Sequence, residues 1–230
     1  EELMQAVIEA LDQVAEDTSV RVVVLAASGK AFCAGHDLKQ MRANDDHPYQ
    51  HQLFSLCSEM MKKIVGLPQP VIARVQGMAT AAGCQLVATC DLAVALEQCR
   101  FAVSGINLGL FCSTPAVALS RNVSRKRAMK MLLTGEFIDA ITALEYGLVN
   151  QVTTDDELDE SVLALAQEIS SKPPRVVRLG KKLFYQQLDQ ELNQAYSNAT
   201  DAISGNMMLD ETREGIDAFI QKRKPNWPSS

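Results

Sequence analysis

Pro70-Val71-Ile72-Ala73-Arg74-Val75-Gln76-Gly77, continuing through Met78-Ala79-Thr80-Ala81-Ala82-Gly83-Cys84-Gln85 to Cys90-Asp91-Leu92-Ala93-Val94-Ala95, is the stretch on which the fold turns. Val71 to Val75 is a short apolar run, the pattern of a strand buried on both faces. Gly77 ends it. A short helix of small residues follows from about Ala82 to Ala88, and Asp91 to Leu96 reads as another buried strand. Strand, helix and strand in direct succession imply a largely parallel α/β sheet with right-handed crossovers.

On the N-terminal side, Val20 to Ala26 reads as a first strand buried on both faces. A helix precedes it, with Leu3, Met4, Val7, Ile8, Leu11 and Val14 at helical spacing and an end near Asp17. Gly29 to Leu38 is a loop with two glycines. Pro48 to Val65 reads as a helix with Leu53, Leu56, Met60, Met61 and Ile64 as its inner stripe, stopped by Pro68 and Pro70. On the C-terminal side, Phe101 and Ala102 form a short strand. From Pro115 the pattern is helical: Ala118 to Arg121, Arg125 to Leu133, Ala140 to Tyr146 and Leu158 to Ile169, with a last strand at Val149 to Val152. Lys172-Pro173-Pro174 divides a core, 1–172, from a helical region, 173–230, with helices near 175–188, 190–204 and 209–221.

The balance of 22 Lys+Arg against 28 Asp+Glu, a net −6, argues against a general nucleic-acid binder, which needs a basic face. No apolar run reaches about 18 residues, so no membrane-spanning helix is expected. Six cysteines without a C-x-x-C pair, and only three histidines, argue against a metal site. The thiols read as reduced, buried packing residues of a reducing compartment. The chain starts at Glu1 rather than at a Met, consistent with removal of an upstream segment.

Two loops follow the carboxyl ends of strands, where open α/β sheets bind ligands. One is Phe32-Cys33-Ala34-Gly35-His36-Asp37-Leu38. The other is Gln76 to Gln85, which enters a helix through small residues and so offers free backbone N–H groups to a developing negative charge. Taken singly, each is more readily read as a packing turn than as an active site. Neither a G-x-x-x-x-G-K-[ST] nor a G-x-G-x-x-G follows a strand, which argues against a nucleotide-phosphate loop.

Together, Val20-Arg21-Val22-Val23-Val24-Leu25, Gly29 to Leu38, Pro70 to Gly77, Ala79, Gly83-Cys84 and Cys90 to Ala95 resemble the enoyl-CoA hydratase/isomerase (crotonase) superfamily. Leu133-Thr134-Gly135-Glu136, Tyr146-Gly147-Leu148-Val149-Asn150 and Lys222-Arg223-Lys224-Pro225 continue the match in order over nearly the whole chain. Within the superfamily it resembles the enoyl-CoA hydratase domain-containing type that lacks the usual catalytic glutamates. The resemblance implies a crotonase-like β-β-α superhelix with a C-terminal helical trimerisation region, and a homotrimer or dimer of trimers. The family's N-terminal β-hairpin would precede Glu1 and is missing from this sequence.

The implied ligand is an acyl-CoA thioester, as substrate or bound molecule, with no cofactor. Backbone N–H groups of His36 and Ala82 correspond to the family's oxyanion hole; such donors are worth about 3–4 kcal/mol each in comparable sites. At His36 the resemblance assigns the backbone, and a general-base role for the imidazole is the alternative. Gln85 and Gly105 stand where hydratases of the family carry two glutamates. Neither supplies an acid–base group, so weak hydration is expected, and restoring both glutamates should raise it. Ala34, Lys39, Phe219 and Lys222 correspond to CoA-binding positions, with a solvated basic tail as the plainer reading of Lys222-Arg223-Lys224. Cys112, Ser113 and Thr114 fall on the acyl pocket, where they either replace the missing chemistry or, for Ser113 or Thr114, cap the helix entering at Pro115. His47 and His51 lie in a polar rim. The readings kept open are an enzyme acting through the oxyanion hole, a non-catalytic acyl-CoA binder or regulator in lipid metabolism, and a thioester hydrolase using water held by Gln85 or by Ser113 and Thr114. The compartment is the cytoplasm for a bacterial source, or the mitochondrial matrix with a targeting segment removed.

Overall fold

Two four-stranded sheets carry the molecule in the computed structural model, which describes residues 1–227. The first contains β1 (Val23–Ala26), β3 (Val71–Val75), β5 (Leu92–Leu96) and β8 (Gln151–Thr153), in the order β1-β3-β5-β8 and all parallel. The second contains β2 (Ala31–Cys33), β4 (Met78–Thr80), β6 (Arg100–Ala102) and β7 (Ile138–Asp139), parallel except for the β6–β7 pair. The first three turns of chain thus each give one strand to each sheet and then a helix, while in the last α7 separates β7 from β8. The helices are α1 (Glu2–Glu16), α2 (Leu38–Ala43), α3 (His47–Gly66), α4 (Ala82–Thr89), α5 (Ser113–Asn122), α6 (Arg125–Thr134), α7 (Ala140–Tyr146), α8 (Leu158–Ser170), α9 (Pro174–Leu188), α10 (Leu192–Asn206) and α11 (Asp210–Ile220).

β3 and β5 are central strands, and Ile72, Ala73, Val94 and Ala95 are fully buried. β1 corrects the expectation of a strand buried on both faces: it is an edge strand, and Val24 is 38% exposed. An edge has one hydrogen-bonded neighbour, and a run of valines does not disclose that. The loop expected over Gly29 to Leu38 contains β2, and β4 follows Gly77 directly. Leu56 is only partly buried on α3, where Cys57 lies inside instead.

Asp91 ties α9 to the core. Its carboxylate accepts from the Val71 backbone N–H at 2.7 Å, the Lys181 ammonium at 2.6 Å and the Tyr185 hydroxyl at 2.8 Å. Lys181 also donates to the carbonyls of Ile64 and Gln69, both at 3.0 Å. Burial pulls the Lys181 pKa below its ordinary value, against the opposing pull of Asp91; burial and then Asp91 push the Tyr185 hydroxyl upward.

No residue of α10 is buried, and Phe184, Leu188, Leu192, Tyr196 and Ile203 present an exposed apolar face across α9 and α10. After α11, Lys222 takes a left-handed conformation (φ 54°) and closes the helix with bonds from Lys222 N to Phe219 O and from Arg223 N to Ala218 O. Arg223 pairs bidentately with Glu214, whose carboxyl that guanidinium holds down to about 2. The Trp227 indole N–H donates to Ser171 O at 2.9 Å.

Candidate active site

The two loops meet. Gly35 has φ +90°, and a Cβ added there would sit 3.2 Å from Ala81 Cβ and 3.5 Å from Ala82 N. Glycine is required on both counts. Asp37 fixes the next residues by capping α2, accepting from Lys39 N at 2.8 Å and Gln40 N at 3.3 Å. Across the gap, α4 starts at Ala82, and Gly83 lets it lie directly on β2: a Cβ there would fall 2.0 Å from Cys33 O. Ala81 turns the chain from β4 into α4 at φ 52°, ψ −118°, a region that residues with a Cβ rarely occupy. Such strain costs about 1–3 kcal/mol and gathers at functional turns. Ala81→Gly should therefore raise stability by about 1 kcal/mol net of the extra unfolded-chain entropy, read as a melting shift of about 2–4 °C. A fall in melting temperature would show that the Ala81 methyl group contributes more by packing than its backbone loses by strain.

Two cavities share a wall at this point. One, of about 600 Å³, is lined by His36 and Ala82 together with Phe54, Leu110, Phe111 and Cys112 among others. The other, of about 650 Å³, is lined by His36 and Ala82 with Leu25, Phe32, Cys33 and Leu86 among others. Asp37 also lines both. A ligand threading one cavity into the other must pass His36 and Ala82.

The structure distributes the remaining candidates unevenly. Ala34 and Lys39, both exposed, line the first cavity, as do Cys112, Ser113 and Thr114. The helix-cap reading fails for Ser113 and Thr114: α5 begins at Ser113 with Cys112 preceding it, and the Ser113 hydroxyl bonds to Phe111 O at 3.3 Å. Gln85 is 4% exposed with its Oε1 unpaired, and it lines neither cavity among the described residues. Phe219 is 85% exposed, and neither it nor Lys222 lines either cavity of its own chain. Of the basic cluster, Arg223 is engaged by Glu214. His47 and His51 are both exposed, as a polar rim requires; they stand in the first turns of α3, capped by Asp46, with their rings stacked at 6.1 Å.

Gly105 carries the largest correction. It lies in a 3₁₀ turn (Ser104–Leu108), and its N–H donates to Cys112 Sγ at 3.3 Å. A Cβ at 105 would meet Leu110 O at 2.5 Å and Cys112 Sγ at 2.8 Å. The position is closed by Cys112 rather than left vacant, so Gly105→Glu cannot simply restore a carboxylate. Sequence spacing did not reveal this contact, nor the pairing of Thr80 Oγ1 with Ser104 Oγ at 3.1 Å beside the cavity.

His36 is half-buried, its ring edge-on to Phe54 at 5.4 Å between centroids. Its Nε2 is buried and has no hydrogen-bond partner among the described residues. Burial holds its pKa below the ordinary 6.5.

The family model described as enoyl-CoA hydratase/isomerase matches residues 1–230. Enoyl-CoA hydratase domain-containing protein 3, mitochondrial, of Rattus norvegicus is 48% identical over 213 residues, covering 93% of this chain and 71% of the rat protein. A crystal structure of enoyl-CoA hydratase from Mycobacterium smegmatis superposes with a TM-score of 0.95 at 56% identity, covering 97% of this chain and 87% of that one. That of human enoyl Coenzyme A hydratase domain-containing protein 3 gives 0.94 at 45% identity, covering 98% and 89%.

Proposed function

Since this chain belongs to the enoyl-CoA hydratase/isomerase family and has the crotonase fold, we propose that it binds an acyl-CoA thioester with the thioester oxygen between the N–H groups of His36 and Ala82. The observation that carries the reading is the shared wall: the two turns touch at Gly35 and Ala82, and both cavities open on them. N–H groups aimed at one oxygen in a site walled by apolar side chains stabilise an enolate-like oxyanion. The acyl chain occupies the cavity bounded by Phe54, Leu110 and Phe111, and Lys39 at its edge offers a cation to the CoA phosphates. A crystal structure with butanoyl-CoA tests this. The thioester oxygen should lie about 3 Å from both nitrogens; a thioester held elsewhere overturns the reading.

Hydration is the reaction this site supports least, because neither glutamate position carries a carboxylate. Hydrolysis through water on Gln85 is disfavoured as well, since Gln85 lies outside both cavities. Assaying free CoA thiol beside enoyl-thioester absorbance separates hydrolysis, hydration and binding alone. The rat relative's name supports the mitochondrial matrix of the two compartments considered, and a role in acyl-CoA metabolism follows from the ligand.

The assembly belongs to the proposal too: a homotrimer or dimer of trimers in which α9 and α10 cover their apolar faces on a neighbour, and Phe219 and Lys222 reach CoA held by an adjacent chain. Closed cyclic symmetry hides such faces without an open contact. Light scattering should give three or six times 25.1 kDa. A persistent 25.1 kDa species at rising concentration excludes assembly through these helices. Truncation at Pro174 is a poor test, because it strips Lys181 and Tyr185 from Asp91. Leu192→Glu with Ile203→Glu leaves that network intact and should yield monomers.

A further inference from the structure

We propose that the imidazole of His36 is a general base that removes a proton from the α-carbon of the bound thioester, giving the protein an enolising activity independent of the two missing glutamates. The inference rests on the acyl-CoA reading above. Elimination supports it first. Of the ionisable side chains on the acyl cavity, Asp37 is exposed and gives its Oδ1 to the cap of α2, and Lys39 is exposed. Cys112 is engaged by the Gly105 N–H. The hydroxyls of Thr80 and Ser104 share one hydrogen bond, and Ser113 donates to Phe111 O. His36 remains, and it lines both cavities.

Position supports the inference second. His36 supplies an oxyanion N–H from its own backbone, so its ring stands one residue's reach from the thioester carbon. The ring packs edge-on to Phe54, which also lines the acyl cavity. Burial keeps the imidazole neutral near pH 7, the form that accepts a proton. The charged groups facing this space are Glu1, Asp37 and Lys39; Cys33, Cys57 and Cys112 are its other titratable neighbours.

The step balances without a co-reactant. The α C–H bond breaks, its proton passes to a ring nitrogen, and its electron pair forms the C=C bond of an enolate. The thioester oxygen takes the charge between the N–H groups of His36 and Ala82. Return of a proton from the imidazolium restores the thioester; in D₂O, once the imidazolium N–H has exchanged with solvent, a deuteron returns instead.

The experiment incubates the full-length protein with butanoyl-CoA, which has no double bond to hydrate, in D₂O and follows α-deuterium by mass spectrometry. The wild type should incorporate deuterium at a rate that falls in acid, at a pH below the ordinary imidazole range because burial holds the His36 pKa down. His36→Gln should lose about 100-fold or more of that rate, the size of a general-base contribution. Its affinity for butanoyl-CoA, measured by calorimetry, should stay within about threefold, because the backbone N–H remains. Exchange in His36→Gln equal to wild type, or no exchange in a wild type that binds the thioester, overturns the inference alone. Failure of the wild type to bind butanoyl-CoA overturns the acyl-CoA reading, and the inference with it.

Discussion

Given crotonyl-CoA, the purified protein should hydrate it at least about 10⁴-fold more slowly than an efficient hydratase working near 10⁷ M⁻¹s⁻¹. Syn addition of water needs one group to take a proton from the water and one to give a proton to the α-carbon. Each is worth about 10²–10⁴ in rate. Gln85 can accept a hydrogen bond but not a proton, and Gly105 has no side chain. A base at His36 would serve the α-carbon and leave the water unactivated. The measurement is loss of the conjugated enoyl-thioester absorbance. The same assay on Gln85→Glu/Gly105→Glu should show no return to hydratase rates, because the new Cβ at 105 runs into Leu110 O and Cys112 Sγ. Forcing it in should lower stability by about 1–3 kcal/mol, the usual cost of overpacking. A wild-type rate near 10⁷ M⁻¹s⁻¹ would demonstrate an acid–base pair elsewhere in the cavity.

Replacing Asp91 should be the most damaging single change outside the site. The Lys181 side chain is 7% exposed and that of Asp91 is 15% exposed, so solvent screens the pair little. Asp91→Ala leaves a buried ammonium facing only carbonyls, orphans the Val71 N–H and takes the acceptor from Tyr185. Breaking a buried pair from one side costs about 3–5 kcal/mol. In a chain of this size that lowers the melting temperature by about 6–20 °C. The double change Asp91→Ala/Lys181→Met removes the stranded charge and should recover part of the loss. If the double variant melts no higher than Asp91→Ala, the damage comes from the lost bonds to Val71 and Tyr185 and not from the charge.

Several elements were readable in the sequence. Val71 to Val75, Ala82 to Ala88 and Ala140 to Tyr146 stand within a residue of where they were expected, because burial on both faces and small-residue helix starts leave local marks. The second sheet left almost none. β2, β4, β6 and β7 are two or three residues each, and pairs such as Ala79 with Cys33 join segments more than forty residues apart. Of the four, only β6 was expected from the residues themselves, at Phe101 and Ala102. In the site, the turns at His36 and Ala82 were legible from glycine placement and motif order. The closure of Gly105 by Cys112 was not, since it depends on a 3₁₀ turn folding the chain back over seven residues. The unsatisfied Nε2 of His36 likewise appears only when every neighbour is in place.

The knot at Asp91 also sets a timetable for biosynthesis. Asp91 must wait for Lys181, ninety residues further along the chain. At 5–20 residues per second, that is roughly 5–20 s of translation. Through this interval β3 and β5 can pair, but the carboxylate beneath them lacks its cation and the floor that α9 lays over it is absent. The nascent protein therefore passes through a stage with its sheet in register and its base open. Its vulnerability to aggregation or proteolysis should be greatest then, and a ribosome stalled before residue 181 should display a protease-sensitive core that becomes resistant once α9 has emerged.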